Sequence, residues 1–274
     1  MSDNTNESNA YILGTDRAEL HRLGLQHQVW ASEAQAGWAA AGFTRGMHIL
    51  DLGSGPGFCT KELAYIVGKE GKVTAVDKSQ QYLHYLDEVN KTHALNIDTR
   101  QGTFDELDFE PNTLDGMYCR WAMAWIPNPR EILAKVLIAL KPGAKMVLHE
   151  YYHWMAHQIN PGTPAVTKAI RGCYDSFQDA DGDIDVGKDL PGILSDLGMK
   201  ISSTRSMSKF AGPKDIAWQW PKSFYEVYWP KIKDMGYLTE AELAQALADI
   251  VEIEKNPAST LMCPILIEVI AEKI

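Results

Sequence analysis

The stretch that decides the fold is Ile49-Leu50-Asp51-Leu52-Gly53-Ser54-Gly55-Pro56-Gly57. An apolar run that breaks into glycines at alternate positions is typical of a buried parallel strand ending in a tight turn, where the backbone approaches a ligand without a Cβ in the way. Residues 58–67 then show apolar side chains at helical spacing, and the free N–H groups at a helix start favour a polar or anionic ligand group. The alternative is a strand-to-helix turn that binds nothing.

A second short apolar strand, 73–76, ends on Asp77, about twenty residues beyond the turn. An acid at this position can hold the ribose hydroxyls of a nucleoside cofactor. The dinucleotide fingerprint G-x-G-x-x-G is incomplete, because its third glycine falls on Phe58 and Gly57 comes one residue early. The turn therefore predicts a nucleoside ligand and disfavours the pyrophosphate of a nicotinamide cofactor.

Further landmarks follow in order between about residues 45 and 150. They are D-x-G-x-G-x-G at 51–57, the acid Asp77, QGTF at 101–104, LDGMYCR at 114–120, WIPNP at 125–129 and LKPG at 140–143. In these motifs the chain resembles the class I S-adenosylmethionine-dependent methyltransferases. More narrowly, it resembles the small-molecule branch that includes the ubiquinone/menaquinone-biosynthesis type.

The resemblance implies an α/β fold. We expect a Rossmann-like seven-stranded, mostly parallel sheet with helices on both faces, in which the last strand is antiparallel and lies between the fifth and sixth. Insertions would add a helical cap. The expected division is a disordered tail at 1–10, an N-terminal helix and cofactor-binding core at 11–151, a cap or lid at 152–189, a core helix and strand at 190–204, a helical cap at 205–258 and the final core strand at 259–274.

Helix starts are predicted at two capping boxes. Asp16 with Glu19 begins the N-terminal helix, and Thr239 with Glu242 begins a helix of the second insertion. The strand predictions are 47–52, 73–76, 97–101, 114–119, 145–149, 199–203 and 261–271.

The resemblance also implies S-adenosyl-L-methionine as cofactor and S-adenosyl-L-homocysteine as product, with a methyl group transferred by in-line displacement to a small, partly apolar or aromatic acceptor. Two alternatives stay open: a cofactor-binding module without catalysis, with a regulatory or partner role, and an NAD-dependent oxidoreductase. Thr103 and Trp125 support the first alternative, because relatives commonly have aspartate at the former position and histidine at the latter.

The predicted site residues form three groups. The cofactor-binding group is Tyr11, Gln26, Asp51, Gly53, Ser54, Gly55, Gly57, Asp77, Lys78, Tyr82, Gly102, Thr103, Phe104 and Arg120. The substrate pocket is expected from the aromatic residues Trp121, Trp125, Trp154, Trp218 and Tyr225, although the dense aromatic residues of the two insertions can equally form a small second core. Candidates for a general base are His149, Glu150, Tyr151 and His153, although an acceptor that is already nucleophilic needs none.

Composition limits the partners. The formal net charge of -10 argues against a nucleic-acid partner, which requires clustered Lys and Arg. No apolar window is long enough to span a bilayer, and residues 1–10 lack a secretion pattern. Four scattered cysteines fit reduced thiols in a cytoplasmic enzyme. We expect a small-molecule acceptor and a monomer or homodimer.

Two motifs suggest metals, and we expect no metal at either. H-E-x-x-H at 149–153 follows a strand, so its histidines would not share a helical face as a zinc site requires. The alternating acids Asp179, Asp181, Asp183 and Asp185 lack the glycine and the final glutamate of a calcium loop. A solvated acidic loop, or a lid over the pocket, is the interpretation that we prefer.

Overall fold

The computed structural model describes residues 17–104, 106, 108–180 and 182–274. The predicted tail at 1–10, the candidate Tyr11 and the capping residue Asp16 lie outside the described residues, as does Asp181. In the described part of the chain, no helix is both long and apolar enough to cross a bilayer.

The main sheet has seven strands in the order β3-β2-β1-β4-β5-β10-β7. Strand β10 runs antiparallel to both neighbours, β5 and β7, and the other pairs are parallel. This topology confirms the predicted sheet. The strands are β1 (His48–Leu52), β2 (Lys72–Asp77), β3 (Ile97–Gln101), β4 (Leu114–Arg120), β5 (Leu140–His153), β7 (Met199–Met207) and β10 (Ile265–Lys273).

Helices cover the sheet and build the cap. They are α1 (Arg17–Ala41), α2 (Phe58–Val67), α3 (Gln80–His93), α4 (Pro129–Ala139), α5 (Pro164–Gln178), α6 (Leu190–Asp196), α7 (Ile216–Asp234) and α8 (Glu240–Lys255). The predicted capping box is confirmed at α8, where Thr239 accepts from the Glu242 N–H and the Glu242 side chain accepts from the Thr239 N–H.

The stretch predicted as one strand over 261–271 is two strands, and that prediction was wrong. Strand β9 (Thr260–Met262) ends before Pro264, and β10 starts directly after it. Proline has no N–H to donate to a ladder, so it interrupts the pairing. Strand β9 joins a second, three-stranded sheet with β6 (Gln158–Asn160) and β8 (Phe210–Ala211) on either side.

The aromatic residues of the cap belong to the same hydrophobic core as the sheet. Trp218, Tyr225, Tyr228 and Trp229 of α7 are buried and cluster with Trp30 of α1. Part of the aromatic density in the sequence is therefore core packing. None of these four residues of α7 lines a cavity.

Candidate active site

The glycine turn and Asp77 meet at the carboxyl ends of β1 and β2. The Asp77 carboxylate accepts from the Gly55 N–H at 2.8 Å and from the Ser79 N–H at 2.8 Å. Burial raises the pKa of Asp77, while these two backbone bonds oppose the rise. Because strand order reverses between β1 and β4, this edge is where open α/β sheets bind ligands.

A cavity of about 570 Å³ opens at this edge. Its volume lies in the range of small-molecule sites. It brings together most of the predicted site residues: Gln26, Asp51, Gly53, Ser54, Gly55, Asp77, Lys78, Tyr82, Gly102, Thr103, Phe104, Arg120, Trp121 and Trp125.

The glycine turn passes close to the segment after β4. Gly53 has a φ of 75°, and a Cβ added there would lie 2.3 Å from the Ala122 Cβ. Gly55 (φ 53°) has no protein atom within 4 Å of such a Cβ. Gly53 therefore allows the glycine turn to contact the segment after β4, and Gly55 leaves the turn backbone accessible from the cavity.

Replacing Gly53 with alanine should destabilise the fold by about 2–5 kcal/mol, because it adds left-handed strain to a steric clash. Thermal unfolding measures this change. Gly192→Ala is the matched control, since an added Cβ there meets nothing within 4 Å. If the two variants unfold at the same temperature, the close approach at Gly53 is not structurally important.

Gly57 does not line the cavity. It precedes α2 with a φ of 83°, and an added Cβ would lie 2.3 Å from Leu86. The prediction that Gly57 contacts the cofactor is not supported by its position. Helix geometry and packing against α3 account for this glycine.

The floor of the cavity is polar and buried. Thr60 donates to the Asp51 carboxylate at 2.6 Å, and burial raises the pKa of Asp51 to about 6 despite that bond and the nearby Arg120 charge. Arg120 approaches the His27 Nδ1 at 3.4 Å and lies 4.9 Å from the centre of the Trp121 ring. The Asp51 carboxyl and the Arg120 guanidinium thus bring groups of opposite charge to the lining of the cavity.

A second, smaller cavity of about 60 Å³ adjoins the first. Both cavities are lined by Leu23, Gln26, Trp121 and Trp125. The remaining lining of the smaller cavity is mainly aromatic: Arg22, Tyr151, Trp154, His157, Phe177, Ile184, Trp220, Pro221, Phe224 and Pro264.

Trp121 forms the centre of the wall between the cavities. Its ring stacks on Tyr151 at 5.9 Å and on Trp220 at 5.7 Å between ring centres. Its φ is 57°, a left-handed conformation that is unusual for a bulky residue and stores strain. Its N–H donates to the His149 carbonyl, which holds the backbone in that conformation.

Glu150 lies behind this turn and lines neither cavity. One carboxyl oxygen accepts from the N–H groups of Ala122 and Met123, each at 2.9 Å, and the residue is fully buried. Burial raises the pKa of Glu150 to about 8 despite these bonds. Glu150, a candidate general base in the sequence, is therefore bonded to the backbone and does not line either cavity.

The other predicted bases do not line the cavities either, with one exception. His149 is buried between the Tyr118 hydroxyl at 3.3 Å and Glu268 at 2.8 Å, and burial lowers its pKa. His153 is half exposed and lies 3.9 Å from Asp185. Tyr151 is the exception, because it lines the smaller cavity. H-E-x-x-H was predicted to follow a strand, and in the structure it lies within β5.

Two of the five predicted pocket residues belong to the core. Trp218 and Tyr225 are 1 % exposed and line neither cavity, and Tyr225 contacts His157 through its hydroxyl. Trp220 and Phe224 of the same helix line the smaller cavity and were not among the predicted pocket residues. Their spacing of four residues places them on a common face, which the 3.6-residue period could have revealed.

The acidic stretch is partly structural. Asp185 is buried and accepts from the Trp154 N–H at 2.7 Å and from Lys188 at 2.9 Å. Among the described residues, no group of three or more His, Cys, Asp or Glu side chains is placed to hold a metal ion.

Residues 49–143 match the family model of the methyltransferase domain. In this segment the chain is similar to the class I S-adenosylmethionine-dependent methyltransferases. The chain is 31 % identical over 129 residues to the demethylmenaquinone methyltransferase of Lactococcus lactis, a match that covers 47 % of this chain and 50 % of the relative. It is 29 % identical over 114 residues to the ubiquinone/menaquinone biosynthesis C-methyltransferase of Shewanella piezotolerans, covering 41 % and 45 %. The chain thus spans about half the length of the curated relatives it matches.

Solved structures share the fold of this chain at low sequence identity. A proposed methyltransferase from Bacillus halodurans superimposes with a TM-score of 0.61 at 16 % identity, covering 88 % of this chain and 99 % of that one. The geranyl diphosphate C-methyltransferase of Streptomyces coelicolor superimposes with a TM-score of 0.58 at 11 % identity, covering 95 % of this chain and 89 % of that one. The [4+2]-cyclase SpnF superimposes with a TM-score of 0.58 at 16 % identity, covering 88 % of this chain and 80 % of that one. The fold is therefore shared with proteins of different named activities.

Proposed function

We propose that this chain transfers a methyl group from S-adenosylmethionine to a small, partly apolar or aromatic acceptor. The observation that carries the proposal is the junction at Leu23, Gln26, Trp121 and Trp125, where the cavity containing the glycine turn adjoins an aromatic cavity. A nucleoside cofactor and a flat acceptor could meet there. The names of the curated relatives support an acceptor of the quinone type.

The residues in the larger cavity suit this cofactor. Gly55 leaves the turn backbone open, and Asp77 lies beside it with carboxylate oxygens that can accept from ribose hydroxyls. Tyr82 and Phe104 line the same cavity with ring faces for an adenine base, and the Thr103 hydroxyl can accept from its amino group. We assign cofactor binding to these residues on that basis.

The proposed chemistry is an in-line displacement, and the bound cofactor supplies a methyl group on a positively charged sulfur. The chain contributes proximity and exclusion of water, effects that together lower a barrier by several kcal/mol in general. Trp121, Trp125 and Trp220 provide the water-poor wall. Tyr151 is the one predicted base that lines a cavity, so we infer an acceptor that is already nucleophilic.

A second candidate function is cofactor binding without methyl transfer. It is favoured by Trp125 at the position of a common histidine and by the absence of His149, Glu150 and His153 from the cavity walls. The acidic net charge favours a small molecule over a nucleic acid in either case. We further propose a cytoplasmic monomer or homodimer.

Titration calorimetry with S-adenosylhomocysteine and NAD tests the cofactor assignment. We expect micromolar or tighter binding of S-adenosylhomocysteine and no heat with NAD. Transfer of radiolabel from S-adenosylmethionine to reduced quinones and other small aromatics then tests catalysis. Binding without transfer to any acceptor would favour the second candidate, and tight NAD binding would contradict both.

A further inference from the structure

The amide of Gln26 has a fixed orientation at the junction of the two cavities. Its Oε1 accepts from Arg22 Nη1 at 3.0 Å and from Trp220 Nε1 at 2.9 Å. Guanidinium and indole nitrogens are donors only, so the atom that faces them must be the amide oxygen. A flipped amide would set donors against donors, and the network therefore assigns the orientation.

This orientation turns the amide nitrogen into a pair of directed donors. In the described part of the chain, the hydrogen bonds of the Gln26 side chain all end on Oε1, and Gln26 lines both cavities. Arg22 brings little net charge to the junction, because Glu19 pairs with it at 2.6 Å and 2.7 Å. The Gln26 N–H groups are thus suited to an oxygen on a ligand.

His157 does not compete for that oxygen, whereas Arg120 Nη1 and Trp121 Nε1 are buried donors without a hydrogen-bond partner among the described residues. His157 lies 2.8 Å from the Met262 carbonyl through Nδ1, so this nitrogen carries the proton and Nε2 accepts from Tyr225. The rings of Trp121 and Trp220 cover the remaining wall. Arg120, which lies against the Trp121 ring, favours a negative charge nearby.

We propose that Gln26 is a ligand-binding residue whose two N–H groups hold a carboxylate, carbonyl or phenolate oxygen at the junction of the cavities. The proposal rests on the proposed function, since it presumes that cofactor and acceptor meet there. That oxygen belongs either to the amino-acid end of the cofactor or to the acceptor. Each source predicts a different pattern of binding.

Gln26→Glu is the informative variant. A glutamate keeps oxygen acceptors for Arg22 and Trp220, so the local packing is preserved while both donors are lost. Gln28→Glu is the matched control, because Gln28 is an exposed residue of the same helix and the change in charge is identical. Thermal unfolding of the three proteins should agree within a few degrees.

Calorimetry with S-adenosylhomocysteine and methylthioadenosine separates the two sources, since methylthioadenosine lacks the amino-acid end. If the cofactor supplies the oxygen, Gln26→Glu weakens the binding of S-adenosylhomocysteine tenfold or more and changes the affinity for methylthioadenosine less than twofold. If the acceptor supplies it, both nucleosides bind normally. Benzoate added to the S-adenosylhomocysteine complex should then bind the wild type tenfold more tightly than the variant, as measured by quenching of tryptophan fluorescence. Toluene should show no such difference.

Two outcomes would overturn the proposal. One is unchanged S-adenosylhomocysteine affinity in Gln26→Glu together with benzoate that binds the wild type no better than toluene. The other is an equal loss for both nucleosides, which would indicate a disturbed cavity instead of a lost donor pair. A wild-type protein that binds no S-adenosylhomocysteine would instead contradict the proposed function, so the two failures are distinguishable.

Discussion

Replacing Asp77 with alanine is expected to weaken S-adenosylhomocysteine binding at least tenfold. A hydrogen bond to a charged group contributes about 1.5–3 kcal/mol, and a carboxylate that holds ribose hydroxyls would lose such bonds. The same substitution removes the acceptor for the Gly55 N–H, which lies 2.8 Å from the carboxylate. The turn should therefore lose order together with the ribose contact, and calorimetry measures the combined effect.

A deoxyribose analogue of S-adenosylhomocysteine isolates the ribose contact. The wild type should bind the analogue more weakly than the parent nucleoside, and Asp77→Ala should no longer distinguish them, as a double-mutant cycle requires for interacting groups. Asp98→Ala is the control for loss of a carboxylate. Asp98 lies on β3, pairs with Lys72 and Arg100, and does not line the cavity. Full discrimination by Asp77→Ala would remove the ribose assignment.

The second large effect is expected at Glu150. Glu150→Ala leaves the N–H groups of Ala122 and Met123 without their acceptor and creates a cavity, at a cost of about 3–5 kcal/mol. Glu150→Gln keeps one oxygen for these donors and should be milder. Because the turn they anchor carries Trp121, the near-ultraviolet circular dichroism of the stacked tryptophans should weaken in the alanine variant and persist in the glutamine variant.

Glu150 also predicts a pH dependence. Burial raises the pKa of Glu150 from the usual 4.5 of a glutamate to about 8 in the folded state. Between these two pH values the folded chain therefore keeps a proton on Glu150 that the unfolded chain has lost. Stability therefore falls as pH rises from about 4.5 to about 8, by at most about 1.4 kcal/mol per pH unit. Denaturant unfolding at several pH values should show a smaller fall in Glu150→Gln. Asp51 titrates in part of this range in both proteins, so the difference between them reports Glu150.

Much of the sheet and the larger cavity could be predicted because local sequence specifies both. Glycines at a strand end and an acid on the next strand must lie together when the strands are parallel neighbours. Glu150 shows the limit of that reasoning. Its position near the carboxyl end of β5 made it a candidate general base, whereas the fold turns it toward the backbone of the segment after β4.

The residues of the smaller, aromatic cavity were harder to predict. The local sequence does not distinguish a tryptophan that packs in the core from one that lines a cavity. Trp218 and Trp220 are two residues apart on α7. The helical rotation between them places Trp218 in the core and Trp220 at the wall of the smaller cavity. Gln26 poses a similar problem. Its donor pair depends on Arg22 one turn earlier and on Trp220 from a distant helix, a contact that no local pattern reveals.

Strands β9 and β10 have a consequence for protein engineering. One continuous stretch places β9 between the two insertion strands of the small sheet and β10 between β5 and β7 of the large one. A chimera that exchanged only the two insertions with those of a relative would leave β9 facing foreign partners. Any transplant of acceptor preference must therefore carry Thr260–Met262 with it.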